Sequence, residues 1–544
     1  MRELTGIGVG YGTAAGPVAR MGDPLPEPAA DPSRISPEEE LASARSAMSG
    51  VATELRRRAA LAAGPAQEVL EAQALMAEDP GLAPGIESRI SAGATAARAV
   101  YEAFGEYRTM LAAAGEYLAA RVADLDDVRQ RVVAGCLGVP VPGVPDPGVP
   151  FVLVARDLAP ADTALLDLSR VLALVTAEGG PTSHTAILAR SRGLPAIVGC
   201  PGALSLHDGS VVVVDAGRSV VVADPSPELV AAATTTATAE TATGPGRTAD
   251  DRPVALLANL GSAADAPAAV AAGAEGVGLF RTEFLFLDSA EAPTAAAQQD
   301  AYRAVLDAFG GQKVVIRVLD AGADKPLAFV DLGDEPNPAL GVRGLRALRA
   351  HPELLDTQLT AIAAAAKDSS ADVWVMAPMV ADAEEAAWFA ARVREYGLAT
   401  PGVMIEIPAA ALTAGSLLQQ VAFASIGTND LAQYTMAADR LAGALGSLQD
   451  PWHPALLRLI ELVGAAGFLT GKPIGVCGES AADPLLACVL VGLGATSLSM
   501  SASALPAVRA ELARHTYAEC VAFAQAAVTA TSAAGARDRV RDLT

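Results

Sequence analysis

The segment GGPTSHTAILAR, residues 179–190, sets His184 between Ser183 and Thr185, with Thr182 and a Gly179-Gly180-Pro181 turn before it, in a chain that has only five histidines in 544 residues. A neutral imidazole is a competent nucleophile toward phosphorus, and its reference pKa of about 6.5 leaves it mostly neutral near pH 7. The neighbouring hydroxyls can donate to a phosphate. A helix starting near Thr185 would add backbone N–H groups and the positive end of its dipole. His184 is therefore a candidate phosphoryl acceptor, and the plainer alternative is a histidine capping a turn. Farther along the chain, charged and polar residues recur at the ends of apolar runs: Arg281 and Glu283, Arg317 and Asp320, Lys325, Glu406, Asn429 and Asp430, and Cys477 with Glu479. Guanidinium forks match phosphate and carboxylate oxygens bidentately, so several arginines with Lys325 and Asn429 describe a pocket for a small, multiply charged anion. Glu406 and Asp430, supported by Asn429, suit Mg²⁺, which takes one or two protein carboxylates and completes its shell with water and substrate oxygens. A phosphorylated carboxylic acid would fill both parts. Cys477, in GVCGES, is placed to move a proton; its alternative reading is a small buried hydrophobe.

The elements that must position these residues are legible as period and punctuation. A short strand around Gly6 to Gly12 opens the chain. From Ser36 to about Gly135, apolar residues recur at three- and four-residue spacing, and Ser36-Pro37 has the form of an N-cap followed by proline at the first helical position. After the proline-rich GVPVPGVPDPGVP, the runs FVLVA, VLALVT, AIVG and VVVVDAG alternate with short helical pieces. They resume the strand-rich pattern of the amino terminus, so the helical block reads as an insertion. Residues 226–250 are rich in threonine and alanine, end near GPG, and read as a linker, in part helical. Beyond them eight apolar strand candidates leave room for helices between them: VALLANL, EGVGLF, KVVIRVLD, VWVMAPMV, PGVMIEIP, FASIG, KPIGVCGE and TSLSMS. Eight buried strands alternating with helices predict a (β/α)₈ barrel, whose active site lies at the carboxyl ends of the strands. That is where the charged residues fall.

Composition narrows the class. A net charge of −23, from 62 acidic against 39 basic residues, argues against a nucleic-acid partner. The 51% hydrophobic fraction is inflated by alanine, and no apolar run approaches the roughly 18 residues that a membrane span requires. The amino terminus lacks a charged-then-apolar signal pattern. Five scattered cysteines without a CxxC pair fit a reducing cytoplasm, with neither a disulfide framework nor a zinc site.

Taken in order, GGPTSHTAILAR, GVGLFRTEFLF, IRVLDAGADKP, NPALGVRGLR, VMIEIPAA, SIGTNDLAQYTMAADR and GVCGES resemble enzyme I of the bacterial phosphoenolpyruvate:sugar phosphotransferase system across nearly the whole chain. The resemblance implies a multidomain α/β protein: a swivelling phosphohistidine domain from 1–30 and 136–225, a helical insertion at 31–135 that binds the carrier protein HPr, a linker at 226–250, and a phosphoenolpyruvate-binding TIM barrel from 251–544. It implies that His184 takes phosphate from phosphoenolpyruvate, with Thr163 standing nearby, and passes it to HPr. Arg281, Arg317, Asn429 and Arg440 would hold the substrate, Lys325 and Arg343 would match further anion-pocket positions, and Asp430 would serve both substrate and metal. Glu406 and Asp430 would bind Mg²⁺, and Cys477 would protonate the enolpyruvate carbon as pyruvate forms. A homodimer through the barrels is implied as well, and the apolar run AECVAFAQAAVTATSAA is compatible either with it or with ordinary barrel closure. The family's HPr-facing motif often carries a histidine and larger apolar residues where this chain has Gln73 and Ala74 in EAQALMAEDPGL. Phosphoenolpyruvate synthase and pyruvate phosphate dikinase share the histidine and barrel motifs but need a nucleotide-binding domain of some hundreds of residues, for which only about 35 residues precede the insertion. A catalytically silent regulatory paralogue is the remaining alternative, although every expected catalytic position is occupied.

Overall fold

The computed structural model describes the chain except at residues 1, 11, 23–24, 61–64, 114–121, 140–144, 146, 159–169, 181–182, 184, 187, 190–193, 238–243, 288, 290, 323–326, 331–334 and 440–442. It divides into two compact units, Met1–Ala239 and Glu240–Thr544. No helix among the described residues is long and apolar enough to cross a membrane.

In the first unit, eight strands form one mixed sheet: β1 (Arg2–Thr5), β2 (Ile7–Val9), β3 (Thr13–Arg20), β4 (Phe151–Ala155), β5 (Val171–Thr176), β6 (Ala196–Val198), β7 (Val211–Asp215) and β8 (Val220–Ala223), in the spatial order β1-β8-β7-β3-β4-β5-β6-β2. The central strands are buried on both faces, which is why FVLVA reads as an uninterrupted apolar run. Val152 and Val154 join the core on one face, and Phe151, Leu153 and Ala155 join the core on the other. The second of these also holds Ala186 and Ala189, so the short helical stretch beside residue 184 is packed onto the sheet.

Between the parallel neighbours β3 and β4 the chain leaves the sheet, and the described residues there form five helices: α1 (Pro37–Ala59), α2 (Pro65–Ala77), α3 (Leu82–Ser91), α4 (Ala96–Ala113) and α5 (Val122–Leu137). The insertion read from the spacing is thus an excursion between two hydrogen-bonded strands. At its start Ser36 and Glu39 form a reciprocal capping box, and three glutamates in the first turn with three arginines in the last complement the dipole of α1. Gln73 and Ala74 point into the helical core, each 1% exposed. The Gln73 amide donates to Asp124 at 3.3 Å. The next residue, Leu75, is 69% exposed. The departure from the family pattern at 73 and 74 therefore falls on internal packing. Within the segment 226–250, α6 (Pro227–Ala237) lies against β3, and Leu229, Val230 and Ala233 pack on Val213, Val220 and Val222.

The second unit is a closed eight-stranded parallel barrel: β9 (Ala255–Leu260), β10 (Gly276–Arg281), β11 (Lys313–Arg317), β12 (Asp372–Ala377), β13 (Thr400–Ile405), β14 (Phe423–Gly427), β15 (Ile474–Cys477) and β16 (Ser497–Met500). All eight runs picked out by hydropathy are its strands. Asp320 and Glu406, read as belonging to the third and fifth strands, lie just past their ends. In the interior Phe423 covers Gly402, where an added Cβ would run into the ring. The helices that concern the site are α7 (Leu345–Ala350), α8 (Thr428–Met436), α9 (Pro454–Thr470), α10 (Pro484–Gly492), α11 (Tyr517–Val528) and α12 (Ala533–Arg541). The run AECVAFAQAAVTATSAA supplies nearly all of α11 and the first two residues of α12; in α11, Cys520, Phe523, Ala524, Ala527 and Val528 are buried and the helix is packed on α10.

Candidate active site

Strand register brings the charges to one level. Arg281 on β10 is opposite Arg317 on β11, and Gly427 on β14 is opposite Cys477 on β15. Behind the first pair stands a neutral buried network. The Thr282 hydroxyl donates to the Arg317 carbonyl at 2.8 Å, the Gln358 amide donates to the hydroxyls of Thr282 and Tyr302 at 3.0 Å each, and the Gln358 carbonyl accepts from the Leu319 N–H at 2.9 Å. Every polar atom in such a network constrains the next. Gln358 was not singled out from the sequence. Its signal was there, a lone polar residue in the buried Leu355-Leu359-Ile362 stripe.

The charged cluster rests on this support. Arg317, 5% exposed, is ion-paired with Glu283, also lies 3.5 Å from Asp320, and reaches the Met404 sulfur at 3.5 Å. Burial works to lower its pKa, but Glu283, Asp320 and Glu406 outweigh that and raise it, so the guanidinium stays charged. Arg317 Nε and Glu283 Oε2 are buried with no hydrogen-bond partner, as groups awaiting a ligand would be. Arg343, 1% exposed, lies between two carboxylates: Nε and Nη2 donate to Asp320 at 3.1 Å each, while Nη1 and Nη2 donate to Asp430 at 3.1 and 3.2 Å. The following Gly344 has φ +60°, and a Cβ there would come within 2.8 Å of Met379. Arg281 is exposed at the rim with its guanidinium carbon 5.0 Å from the Phe284 ring centroid. The surrounding protein lowers its pKa, Glu283 opposes that, and the like charge of Arg317 adds to it.

Glu406 and Asp430 are 1% and 6% exposed. Glu406 accepts the Met379 N–H at 2.7 Å, and Met379 has φ +54°, a strained conformation for a side chain of its size. Burial, then repulsion from Asp430 and Asp320, raises the Glu406 carboxyl to about 7. Glu406 and Asp430 offer oxygen donors alone, the ligand type of a hard divalent cation, although Arg343 also engages both oxygens of Asp430. Among the described residues no group of three or more Asp, Glu, His or Cys side chains is arranged to hold a metal. A carboxyl whose pKa is raised from 4.5 to about 7 keeps, between those values, a proton that the unfolded chain has lost. The stability it provides falls as pH rises through that window, and the deficit persists above it. In metal-free protein, Glu406→Gln is expected to stabilise the barrel by up to about 3 kcal/mol near pH 8 and by little near pH 5. Denaturant titrations that give the same difference at both pH values would contradict this.

Cys477, 2% exposed at the end of β15, has its sulfur 3.3 Å from the Ile426 carbonyl, and burial pushes the thiol up to about 11. Asn429 is exposed beside it. Gly478, at φ +104°, keeps that space open, since a Cβ there would meet Thr428 Oγ1 at 2.7 Å and Asn429 Oδ1 at 3.3 Å.

The structure thus brings together Arg281, Arg317, Arg343, Glu406, Asn429, Asp430 and Cys477. It shows Glu283 and Asp320, also read at the ends of the apolar runs, to be the carboxylates that pair with Arg317 and Arg343. His184, Thr163, Lys325 and Arg440 lie outside the described residues. Around His184, the Ser183 hydroxyl accepts the Ala186 N–H at 3.3 Å, residues 185 and 186 are helical, and Thr185 Oγ1 is buried with no partner. Gly179, at φ +89°, makes the turn leading in.

Three family models match in succession: the N-terminal domain of PEP-utilising enzymes at residues 5–121, their mobile domain at 148–219, and their PEP-binding domain at 236–517. A phosphoenolpyruvate-protein phosphotransferase of Streptomyces coelicolor is 59% identical over 98% of each chain. Proteins of the same name are 42% identical in Haloferax volcanii, over 82% of this chain and 81% of that one, and 35% identical in Bacillus subtilis, over 96% of each. Three matching domains in order, over a barrel mouth where arginines and carboxylates are packed together, place this chain in the phosphoenolpyruvate-protein phosphotransferase family of PEP-utilising enzymes.

Proposed function

We propose that the protein transfers the phosphoryl group of phosphoenolpyruvate to His184 and from there to a histidine of the carrier protein HPr, the first step of sugar phosphotransfer. The observation that carries this reading is the buried charge at the barrel mouth, where Arg317 leaves Nε, and Glu283 leaves Oε2, without a partner. Phosphoryl transfer asks the protein mainly for positioning and charge stabilisation. Arg281, Arg317 and Asn429, with Lys325 and Arg440, would hold the phosphate and carboxylate of the substrate. Arg343 would hold Asp430 in place and complete the positive wall. Glu406 and Asp430 would bind Mg²⁺, which when present supplies neutralising charge to the substrate oxygens. As a His184 nitrogen bonds to phosphorus, the bond from phosphorus to the enol oxygen breaks. The enolate pair forms the pyruvate carbonyl, and the methylene carbon takes the proton of the Cys477 thiol, which is then restored from water. Thr163 would stand beside the phosphohistidine.

In the same reading the helical insertion is the HPr-docking part, and the segment 226–250 contains the hinge through which the histidine domain swings between barrel and carrier. The protein works in the cytoplasm as a homodimer built through the barrels. A dikinase-like reaction is not favoured, because the close relatives carry the protein phosphotransferase name.

The decisive experiment incubates the full chain with ³²P-labelled phosphoenolpyruvate and Mg²⁺ and no ATP. Rapid acid-labile labelling is expected for the wild type and none for His184→Ala, which should still bind phosphoenolpyruvate by calorimetry. Sedimentation of both preparations reads the dimer. Stable labelling of His184→Ala, or a requirement for ATP, would sink the proposal.

A further inference from the structure

Apart from the charge cluster, a second polar chain runs from the C-terminal helix to the loops that carry the site. It begins at Arg537 on α12, a helix in which only Ala536 and Val540 are buried. The guanidinium donates bidentately to Asp450, Nη1 to Oδ2 at 2.7 Å and Nη2 to Oδ1 at 2.8 Å. Its carbon lies 5.7 Å from the ring centroid of Trp452. Asp450 also accepts the Trp452 N–H at 3.0 Å, so one carboxylate fixes both the arginine and the turn. Trp452, 1% exposed, donates its indole N–H to Asp483 at 2.8 Å. Asp483 in turn caps α10, accepting the N–H groups of Leu485 and Leu486 at 3.1 and 3.2 Å.

Each end of this chain reaches one side of the site. Gln449, next to Asp450, donates to the Ala438 carbonyl just past Ala437, the left-handed residue that ends α8. The first turn of α8 carries Asn429 and Asp430. Asp483 closes the loop that begins at Cys477. One buried tryptophan, oriented from both sides by carboxylates, therefore joins the anion and metal side to the proton donor, and the C-terminal helix holds it there.

We propose that Arg537 is a positioning residue: α12 is a clasp that, through Asp450, Trp452 and Asp483, sets the place of the Cys477 thiol relative to Asn429 and Asp430. The proposal rests on the function inferred above and names a residue more than fifty positions from any side chain of the site. Misplacing a reacting group by about 1 Å costs on the order of 100-fold in rate, whereas the charges that bind the anion remain. A loosened clasp should therefore act on turnover and on the face of protonation more than on substrate affinity.

The test measures pyruvate formation by the full chain supplied with HPr as phosphoryl acceptor, with KM, kcat and the stereoselectivity of deuterium delivery to a 3-substituted phosphoenolpyruvate. Arg537→Ala is expected to lower kcat by roughly 10- to 100-fold, to change KM by less than about threefold, and to erode the selectivity. Asp450→Asn should do the same, the double variant should be no worse than either, and Arg537→Lys should recover part of the loss. Should Arg537→Ala fail to fold, Arg537→Lys and Asp450→Asn carry the same comparison. A lower melting temperature with kcat, KM and selectivity unchanged would overturn the clasp and leave the proposed function standing. A wild type that forms no pyruvate would overturn both.

Discussion

Cys477→Ser is expected to slow pyruvate formation by about 10²- to 10⁴-fold, the range typical of a lost general acid, while substrate binding is largely retained. The thiol sits at the barrel mouth, buried at 2% exposure, and burial raises it to about 11, so near pH 7 it holds its proton. That is the state a donor to carbon requires. A serine hydroxyl is a far weaker acid and cannot deliver the proton at a comparable rate. The anion is held by other groups, so His184 should still be phosphorylated in the variant, with enolpyruvate released to ketonise in solution. Because the thiol is raised, its ionisation should appear in the pH–rate profile only toward about pH 11, above the value of about 8.5 for a free thiol. The measurement compares steady-state turnover, with HPr as acceptor, with the stereoselectivity of deuterium incorporation from heavy water into a 3-substituted phosphoenolpyruvate. Unchanged turnover and unchanged stereochemistry would return Cys477 to the role of a packed thiol.

Arg317→Ala should cost about 3–5 kcal/mol of barrel stability, because it removes the cation from a buried ion pair and leaves the carboxylate unmatched. Glu283 loses its ion-pair partner, Asp320 loses a cation 3.5 Å away, and Glu406 loses the charge that opposes the rise of its pKa. Adding Glu283→Gln to Arg317→Ala should recover part of the loss, so the two substitutions are expected to be strongly non-additive. Phosphoenolpyruvate binding should not return with stability, since the donor facing the anion is gone. Arg317→Lys separates charge from shape: it keeps the charge but lacks the planar fork, and should fold better than it binds. Chemical denaturation with calorimetric titration of phosphoenolpyruvate checks these three variants, Glu283→Gln alone and the wild type. Additive losses, or a double variant that binds like the wild type, would exclude this account.

Both predictions depend on a site in which opposite charges are packed more tightly than stability alone asks for. Arg343 between Asp320 and Asp430, and Glu406 held by the strained Met379 N–H, are arrangements that a well-packed apolar core would match or better. Their retention at the mouth of a barrel is what a site poised for a multiply charged substrate requires.

The eight barrel strands were legible in the sequence because strands buried on both faces must be apolar throughout, and the charges that break those runs mark the carboxyl ends where a barrel builds its site. Ser36-Pro37 was legible as a helix start because capping is a local interaction, complete within four residues. The histidine stood out by its turn and its hydroxyl neighbours alone. Partnership across the chain was decided by the tertiary structure. Arg343 meets Asp320 and Asp430 across 23 and 87 residues, and Arg537 meets Asp450 across 87, distances over which composition and period carry no signal. In the same way Gln73 and Ala74 turned inward, part of the segment read as a linker became a helix packed on the sheet, and the apolar C-terminal run laid its buried face on α10. In each case the residue type states what a side chain needs, a counter-ion or an apolar neighbour, and only the folded chain determines which distant group supplies it.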